Sequence, residues 1–332
     1  QKNRVVILTD IEADPDDTQS LVRLLLYSNE IDIEGIVATT SCWMRTEIHP
    51  ESIHRVIEAY GEVHPNLTKH DPHFQTANSL SKLVKEGLPT YGMKGVGEGM
   101  DSEGSDWIIE MLEKEDDRPL WVSTWGGANT LAQALYKIQK TKSKEEADRL
   151  ISKLRVYTIS DQDDSGIWIR NNFPELFYIV SPGDDYGSAT WNAMMRVVEG
   201  IDNETISTGW LTENIQQGHG PLGAVYPDVA WGMEGDTPAF LSLIPNGLNN
   251  AGHPDWGGWG GRYELYKPEF SSEYRGANSG VPHEAETREI WTNAADSYSP
   301  YVSSEFGRAV RQMSQTFEGD LVTLWRWRDD FQ

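Results

Sequence analysis

The sequence is poor in three things. It has one cysteine, Cys42, so no intrachain disulfide framework exists. A chain of 332 residues can bury a core large enough to do without one. It has no run of about 18 consecutive apolar residues, so no segment reads as a membrane span. It is also short of positive charge: 28 Lys and Arg stand against 52 Asp and Glu, a formal net charge of −24. A surface that negative repels phosphate backbones and anionic lipid heads, which excludes nucleic acid and membrane surfaces as expected partners. What the chain has in excess is Trp (13) and Gly (30). With the acidity, that surplus points to neutral ligands and a hard cation.

Compartment is weakly marked. The chain opens QKNRVVIL, without the charged and apolar regions of a signal peptide. Two sequons occur, Asn66-Leu67-Thr68 and Asn203-Glu204-Thr205. The expectation is a secreted or periplasmic protein whose signal peptide has been removed.

The first half alternates short β-branched runs with amphipathic segments. Strands are expected at Arg4–Thr9, Asp32–Thr40, Leu120–Thr124, Leu154–Ile159 and Phe177–Val180. Helices are expected at Asp17–Ser28, Glu51–Tyr60, Ser105–Lys114 and Ala128–Ile138, where apolar residues recur at helical spacing. Such alternation implies an α/β fold, a mainly parallel doubly wound sheet with helices on both faces. Ligands then sit outside the carboxyl ends of the strands. From about Gly183 to Pro282 the text is rich in Gly, Asn, Trp and Pro, read as long ordered loops over the site, with one helix at Thr237–Leu243. Residues 1–265 are expected to form the catalytic core and 266–332 a helical extension packed on it.

The sharpest chemical signal follows the first strand. Asp10-Ile11-Glu12-Ala13-Asp14-Pro15-Asp16-Asp17 packs five carboxylates into eight residues. Their mutual repulsion is costly unless a cation sits among them, and Ca²⁺, which takes several oxygen ligands, is the expected one. The competing reading is simple N-capping by Asp16 or Asp17, for which one acid suffices.

A strand, this acid motif and an amphipathic helix resemble the signature of the inosine–uridine-preferring nucleoside hydrolase superfamily. The continuation SLVRLLLYSNEIDIEGIVATTS, with STWGGANTLAQAL, ISDQDDSG, EGDTPAFLSLIPNGL and HPDWGGWGGRYE, resembles its branch of secreted proteins labelled cellulose-binding. In that branch a β-sandwich module follows, so the natural chain is expected to continue past Gln332. The resemblance implies Ca²⁺ ligands at Glu12, Asp17, the Thr124 carbonyl and Asp236, with Asp10 or Asp14 as alternatives to Glu12 for the first of them. It implies a base for the attacking water at Glu12 or Asp16, and a sugar hydroxyl beside Asp16. Two positions have independent context. Thr124 ends the apolar strand LWVST, and Asp236 precedes a helix whose first turn holds Pro238. Where nucleoside-cleaving members often carry a His acid, this chain has Gly235. Replacement acids are sought at Glu103, Asp163 or Asp164, His253 and Asp255.

The loop Gly252–Arg262 holds Trp256 and Trp259 among glycines, a setting for stacking on apolar sugar faces. Trp43 and Trp125 follow strand ends and are expected at the same mouth, and Asn172 is a candidate for a sugar hydroxyl. Trp107, Trp121 and Trp168 read as core. No phosphate loop, serine elbow or HExxH motif is present. The expected activity is a calcium-dependent, inverting hydrolysis of an O-linked saccharide. The rivals are a nucleoside N-ribohydrolase and a non-catalytic carbohydrate-binding protein.

Overall fold

The computed structural model describes residues 1–180, 204, 207–245, 249–258, 260–266 and 290–293. Eight strands form one sheet: β1 (Arg4–Thr9), β2 (Asp32–Ala38), β3 (Val84–Glu86), β4 (Leu120–Thr124), β5 (Leu154–Thr158), β6 (Phe177–Val180), β7 (Tyr263–Tyr266) and β8 (Ile290–Asn293). Their spatial order is β3-β2-β1-β4-β5-β6-β8-β7. All neighbours are parallel except β7, which runs antiparallel to β8. The helices that frame the site are α1 (Asp16–Leu25), α2 (Pro50–Leu67), α3 (Ala77–Lys82), α4 (Glu103–Glu113), α5 (Asn129–Thr141), α6 (Lys144–Lys153), α7 (Ser165–Asn172), α8 (Thr208–Leu211), α9 (Gly220–Ala224) and α10 (Pro238–Leu241).

The period of two in a strand explains the two layers. Val5 and Ile7 of β1 join one core with Leu21, Leu24 and Leu25 of α1 and Val56 and Tyr60 of α2. Val6 and Leu8 join the other with Ile108 and Leu112 of α4 and Leu131 and Leu135 of α5. All four β1 side chains are fully buried. Each contributes about 1.5–3 kcal/mol by burial, so the strand and the loop at its end are firmly fixed. Among the described residues no helix is long and apolar enough to cross a membrane.

The long strands and helices fall where the sequence puts them. Departures are mostly short or late elements, the ten-residue α6 apart. β3, α3, α6, α7, α8, α9 and β7 have no counterpart in the sequence reading, and the expected helix at Thr237–Leu243 is the single turn of α10. Within the stretch expected to be a helical extension, Ile290–Asn293 is instead a strand, because Ile179 of β6 and Tyr263–Tyr266 of β7 flank it with open backbone partners. The rest of that extension lies outside the described residues.

At the amino ends of β1, β2 and β4, Asp32, Glu34 and Asp116 each have a basic partner. Arg4 of β1 meets Glu34 at 2.7 Å, and Lys114 reaches the other oxygen of Glu34 at 2.7 Å. Arg118 bridges Asp116 (2.7 Å) and Asp32 (2.6 Å). Hydrogen bonds from Arg118 hold the Asp116 carboxyl well below the usual carboxylate range.

Candidate functional site

In the order β3-β2-β1-β4-β5-β6 the chain winds in one direction from β1 to β3 and in the other from β4 onward. The switch point lies between β1 and β4, where such sheets open a crevice at their carboxyl ends. A pocket of about 310 Å³ occupies that place, lined by Asp10, Asp14, Asp16, Asp17, Trp43, Trp125, Ile159, Gln162, Gly235 and Asp236. Asp10 leaves β1 directly, Trp43 follows β2, Trp125 follows β4, and Ile159 and Gln162 follow β5. The three acids from Asp14 to Asp17 sit at the start of α1.

The Gly126-Gly127 pair after β4 is what lets these loops close. A Cβ on Gly126 would stand 2.8 Å from the side chain of Asp10, and one on Gly127 would stand 2.3 Å from Asp163 Oδ2. Neither position tolerates a side chain without moving an acid. The TWGGAN text is thus a close-approach device as well as a turn.

Among the described residues five carboxylates converge, and no Lys, Arg or His lines the pocket. Asp10, Asp17 and Asp236 are buried, and Asp14 and Asp16 half-buried. Ligand oxygens of Asp14, Asp16 and Asp17 lie within 4.8 Å of one another. Thr9 Oγ1 donates to Asp17 Oδ2, and the Asp16 amide donates to Asp14 Oδ1 at 3.1 Å. Asp236 Oδ2 is buried with no hydrogen-bond partner. Desolvation first, then the neighbouring acids, drive the carboxyls of Asp16, Asp17 and Asp236 well above the ordinary range. Desolvation likewise pushes Asp10 up to about 7. An all-oxygen set with an orphaned buried carboxylate oxygen and no basic side chain fits a hard divalent cation.

The capping alternative fails on geometry. Pro15, not Asp16 or Asp17, occupies the N-cap of α1, and no side chain caps it.

Glu12 is separated from the cluster. Its backbone is left-handed (φ +83°), and its half-exposed carboxylate pairs with Arg55 Nη2 of α2 at 2.6 Å. Hydrogen bonds from Ser52 and Arg55 hold it below the usual range. It does not line the pocket; Asp14, from the same motif, does. Nor does Thr124: it is fully buried, its carbonyl accepts the Ile159 amide at 3.0 Å, and its Oγ1 has no partner.

The expected acids are dispersed. Glu103, in the first turn of α4, is exposed and pairs with Lys85 at 3.2 Å. Asp164 Oδ1 accepts the Met93 amide at 2.8 Å. Asp163 is buried; Ser165 bonds its Oδ1, its Oδ2 has no partner, and burial pushes its carboxyl up to about 6. His253 and Asp255 are 4.0 Å apart and half-exposed. None of these five lines the acidic pocket.

Of the aromatic candidates, Trp43 is 55% exposed and Trp125 is fully buried, its Nε1 donating to Ser123 Oγ at 3.1 Å; both line the pocket. Trp256 is 65% exposed and stacks on the His253 ring at 4.0 Å, away from the lining residues. Trp259 lies outside the described residues. Asn172 ends α7 and donates to the Trp168 carbonyl at 2.8 Å, so its amide serves the helix. Trp121 is in one core layer, as expected; Trp107 and Trp168 are partly buried against the other. Gln162, not singled out by sequence reasoning, lines the pocket with its Nε2 tied to the Trp125 carbonyl and its Oε1 buried and unpartnered. Its place after β5 is the signal that could have found it.

A family model described as cellulose-binding Sde182, nucleoside hydrolase-like domain, matches residues 4–263. A nucleoside hydrolase-related hypothetical protein from Saccharophagus degradans, associated with carbohydrate metabolism, is 36% identical. That match covers 100% of this chain and 72% of the other, with a TM-score of 0.77. An inosine–uridine-preferring nucleoside hydrolase from Bacillus anthracis is 12% identical, over 89% of this chain and 91% of its own, with a TM-score of 0.46. Among curated proteins none matches. The doubly wound sheet and the family match along nearly the whole described core agree: this chain belongs to the cellulose-binding Sde182 nucleoside hydrolase-like domain family.

Proposed function

We propose that this domain is a secreted, calcium-dependent glycoside hydrolase that cleaves an O-linked saccharide with inversion. The observation that supports it is the convergence of Asp10, Asp14, Asp16, Asp17 and Asp236 on one crevice, with no basic side chain among the described residues that line it. Asp10, Asp14, Asp17 and Asp236 would hold Ca²⁺. When bound, the ion offsets the carboxylates' charge, orients a water and polarises vicinal sugar hydroxyls. Asp16 takes a proton from the attacking water. Gln162 Oε1, an acceptor without a donor, receives a sugar hydroxyl. Trp43 offers an apolar face at the mouth. Direct attack at the anomeric carbon on the face opposite the leaving group inverts it. Asp163 supplies the proton for the departing glycosidic oxygen, having a free buried oxygen next to Gln162 in the chain.

A second reading is a saccharide-binding domain without turnover. It is favoured by one observation: Asp163, Glu103, Asp164, His253 and Asp255 all stand off the pocket lining. The decisive experiment incubates the protein with Ca²⁺ and cello-oligosaccharides, and in parallel with inosine, following reducing ends and free base. Hydrolysis of oligosaccharide, abolished by EDTA and lowered at least a hundredfold by Asp16→Asn, is the expected result. Saccharide binding without product would establish the binding reading. Release of hypoxanthine alone would make the domain a nucleoside hydrolase.

A further inference from the structure

The pocket draws its acids from two places more than two hundred residues apart in the chain. Asp16 and Asp17 belong to α1; Asp236 belongs to the segment before α10. What joins them is a second set of contacts on α1, one turn further along.

Glu234 is fully buried and left-handed, φ +50°, an uncommon conformation for a residue with a side chain. Its amide donates to Gln19 Oε1 at 2.8 Å. Its carboxylate takes a fork from Arg23: Nε meets Oε2, and Nη2 meets Oε1 at 2.9 Å. Tyr226 Oη donates to Oε1 at 2.8 Å, and Thr237 Oγ1 lies 2.9 Å from Oε2 and 3.0 Å from Ser20 Oγ. Gln19 Nε2 also donates to the Pro227 carbonyl at 3.1 Å. Gln19, Ser20 and Arg23 all lie on α1, and Glu234 and Thr237 flank Gly235 and Asp236, both of which line the pocket.

We propose that the Glu234–Arg23 fork is a positioning latch that sets Asp236 opposite Asp16 and Asp17. It spans the two halves of the site and fixes the backbone turn from which Asp236 projects. A buried charge pair is an expensive way to gain stability alone, since apolar residues of similar volume usually do as well. A planar bidentate fork that also bonds both neighbours instead fixes direction. Glu234 and Arg23 do not touch the pocket, so they act through Asp236 and are positioning residues.

The inference rests on the reading that the pocket acids take a divalent cation, and the test separates the two. The probes are Tb³⁺, sensitised by Trp43 and Trp125 at the pocket, and Ca²⁺ added to displace it. Asp236→Asn serves as the variant with an altered ligand and an intact latch. The double variant Arg23→Met with Glu234→Met removes the fork while leaving no unpaired buried charge, and Tyr226→Phe removes one hydrogen bond and no charge. The expected result is a loss of Ca²⁺ affinity of at least tenfold in the double variant and about threefold in Tyr226→Phe, with cooperative unfolding of the ion-free protein retained in each. A purely structural latch would lower the unfolding temperature and leave affinity within twofold of wild type in any folded variant; that result overturns the proposal. Should the double variant fail to fold, Tyr226→Phe decides by the same criterion. If wild type takes up neither Tb³⁺ nor Ca²⁺, the cation reading falls and the latch proposal falls with it.

Discussion

The two ends of the sheet hold comparable numbers of carboxylates and treat them in opposite ways. At the amino end Asp32, Glu34 and Asp116 are each met at ion-pair distance by Arg4, Lys114 or Arg118. At the carboxyl end five acids face a pocket that no basic side chain among the described residues lines, and burial raises the proton affinities of Asp10, Asp16, Asp17 and Asp236. The same residue type is ion-paired at one end and gathered around an acidic crevice at the other. What distinguishes them is the partner the fold supplies.

That contrast can be broken by substitution. Arg4→Met at the amino end takes away one partner of Glu34 and Asp116 and should cost about 3–5 kcal/mol, as loss of one member of a buried pair does. Urea unfolding measures it, and Ca²⁺ affinity should not change. A loss below about 1 kcal/mol would mean that Lys114 and Arg118 alone suffice.

The pH dependence of the ion-free protein tests the other end. Asp10 is raised in the folded state, so the folded protein binds more protons than the unfolded one between about 4 and about 7. Stability is then full below the unfolded value and falls as pH rises through about 7, by on the order of 4 kcal/mol. Saturating Ca²⁺ should flatten or reverse the slope. A thermal melt series with EDTA and with Ca²⁺ measures both, and a stability that rises with pH in EDTA would contradict the contrast.

The smallest effect is expected from Asp10→Asn. Removing an uncompensated carboxylate should raise the ion-free stability at pH 8 by about 1–2 kcal/mol while weakening Ca²⁺ binding. Opposite signs for Arg4→Met and Asp10→Asn would express the difference between the two ends in one pair of melts.

Much of this was legible in the residues because the strong signals are local. VVIL in β1 and the spacing of Leu21, Leu24 and Leu25 in α1 are buried patterns that tertiary structure has no reason to override. Short elements are different: the three residues of β3 are a strand only because β2 offers an open edge, and Ile290–Asn293 because β6 and β7 do. The acidic motif announced a site but not its membership. A left-handed turn at Glu12 and the reach of Arg55 from α2 exchange Glu12 for Asp14, and neither event has a local signature. Asp236 had a helix start as its own context, but its membership of the site came from resemblance, since nothing within a few residues of it reports a partner in α1. Gln162 was hidden by its neighbours, because in ISDQDDSG the acids drew the attention and the amide lines the pocket.

One consequence concerns α1 as a unit of folding. Its first turn carries Asp16 and Asp17, and its second and third hold Gln19, Ser20 and Arg23, which grip the Asp236 segment. Release of α1 therefore takes away two of the pocket's acids and the anchor of a third in a single event. In the language of amide exchange, the amides of α1 and of the Asp236 segment are expected to open together, with the free energy of lifting α1 from the sheet.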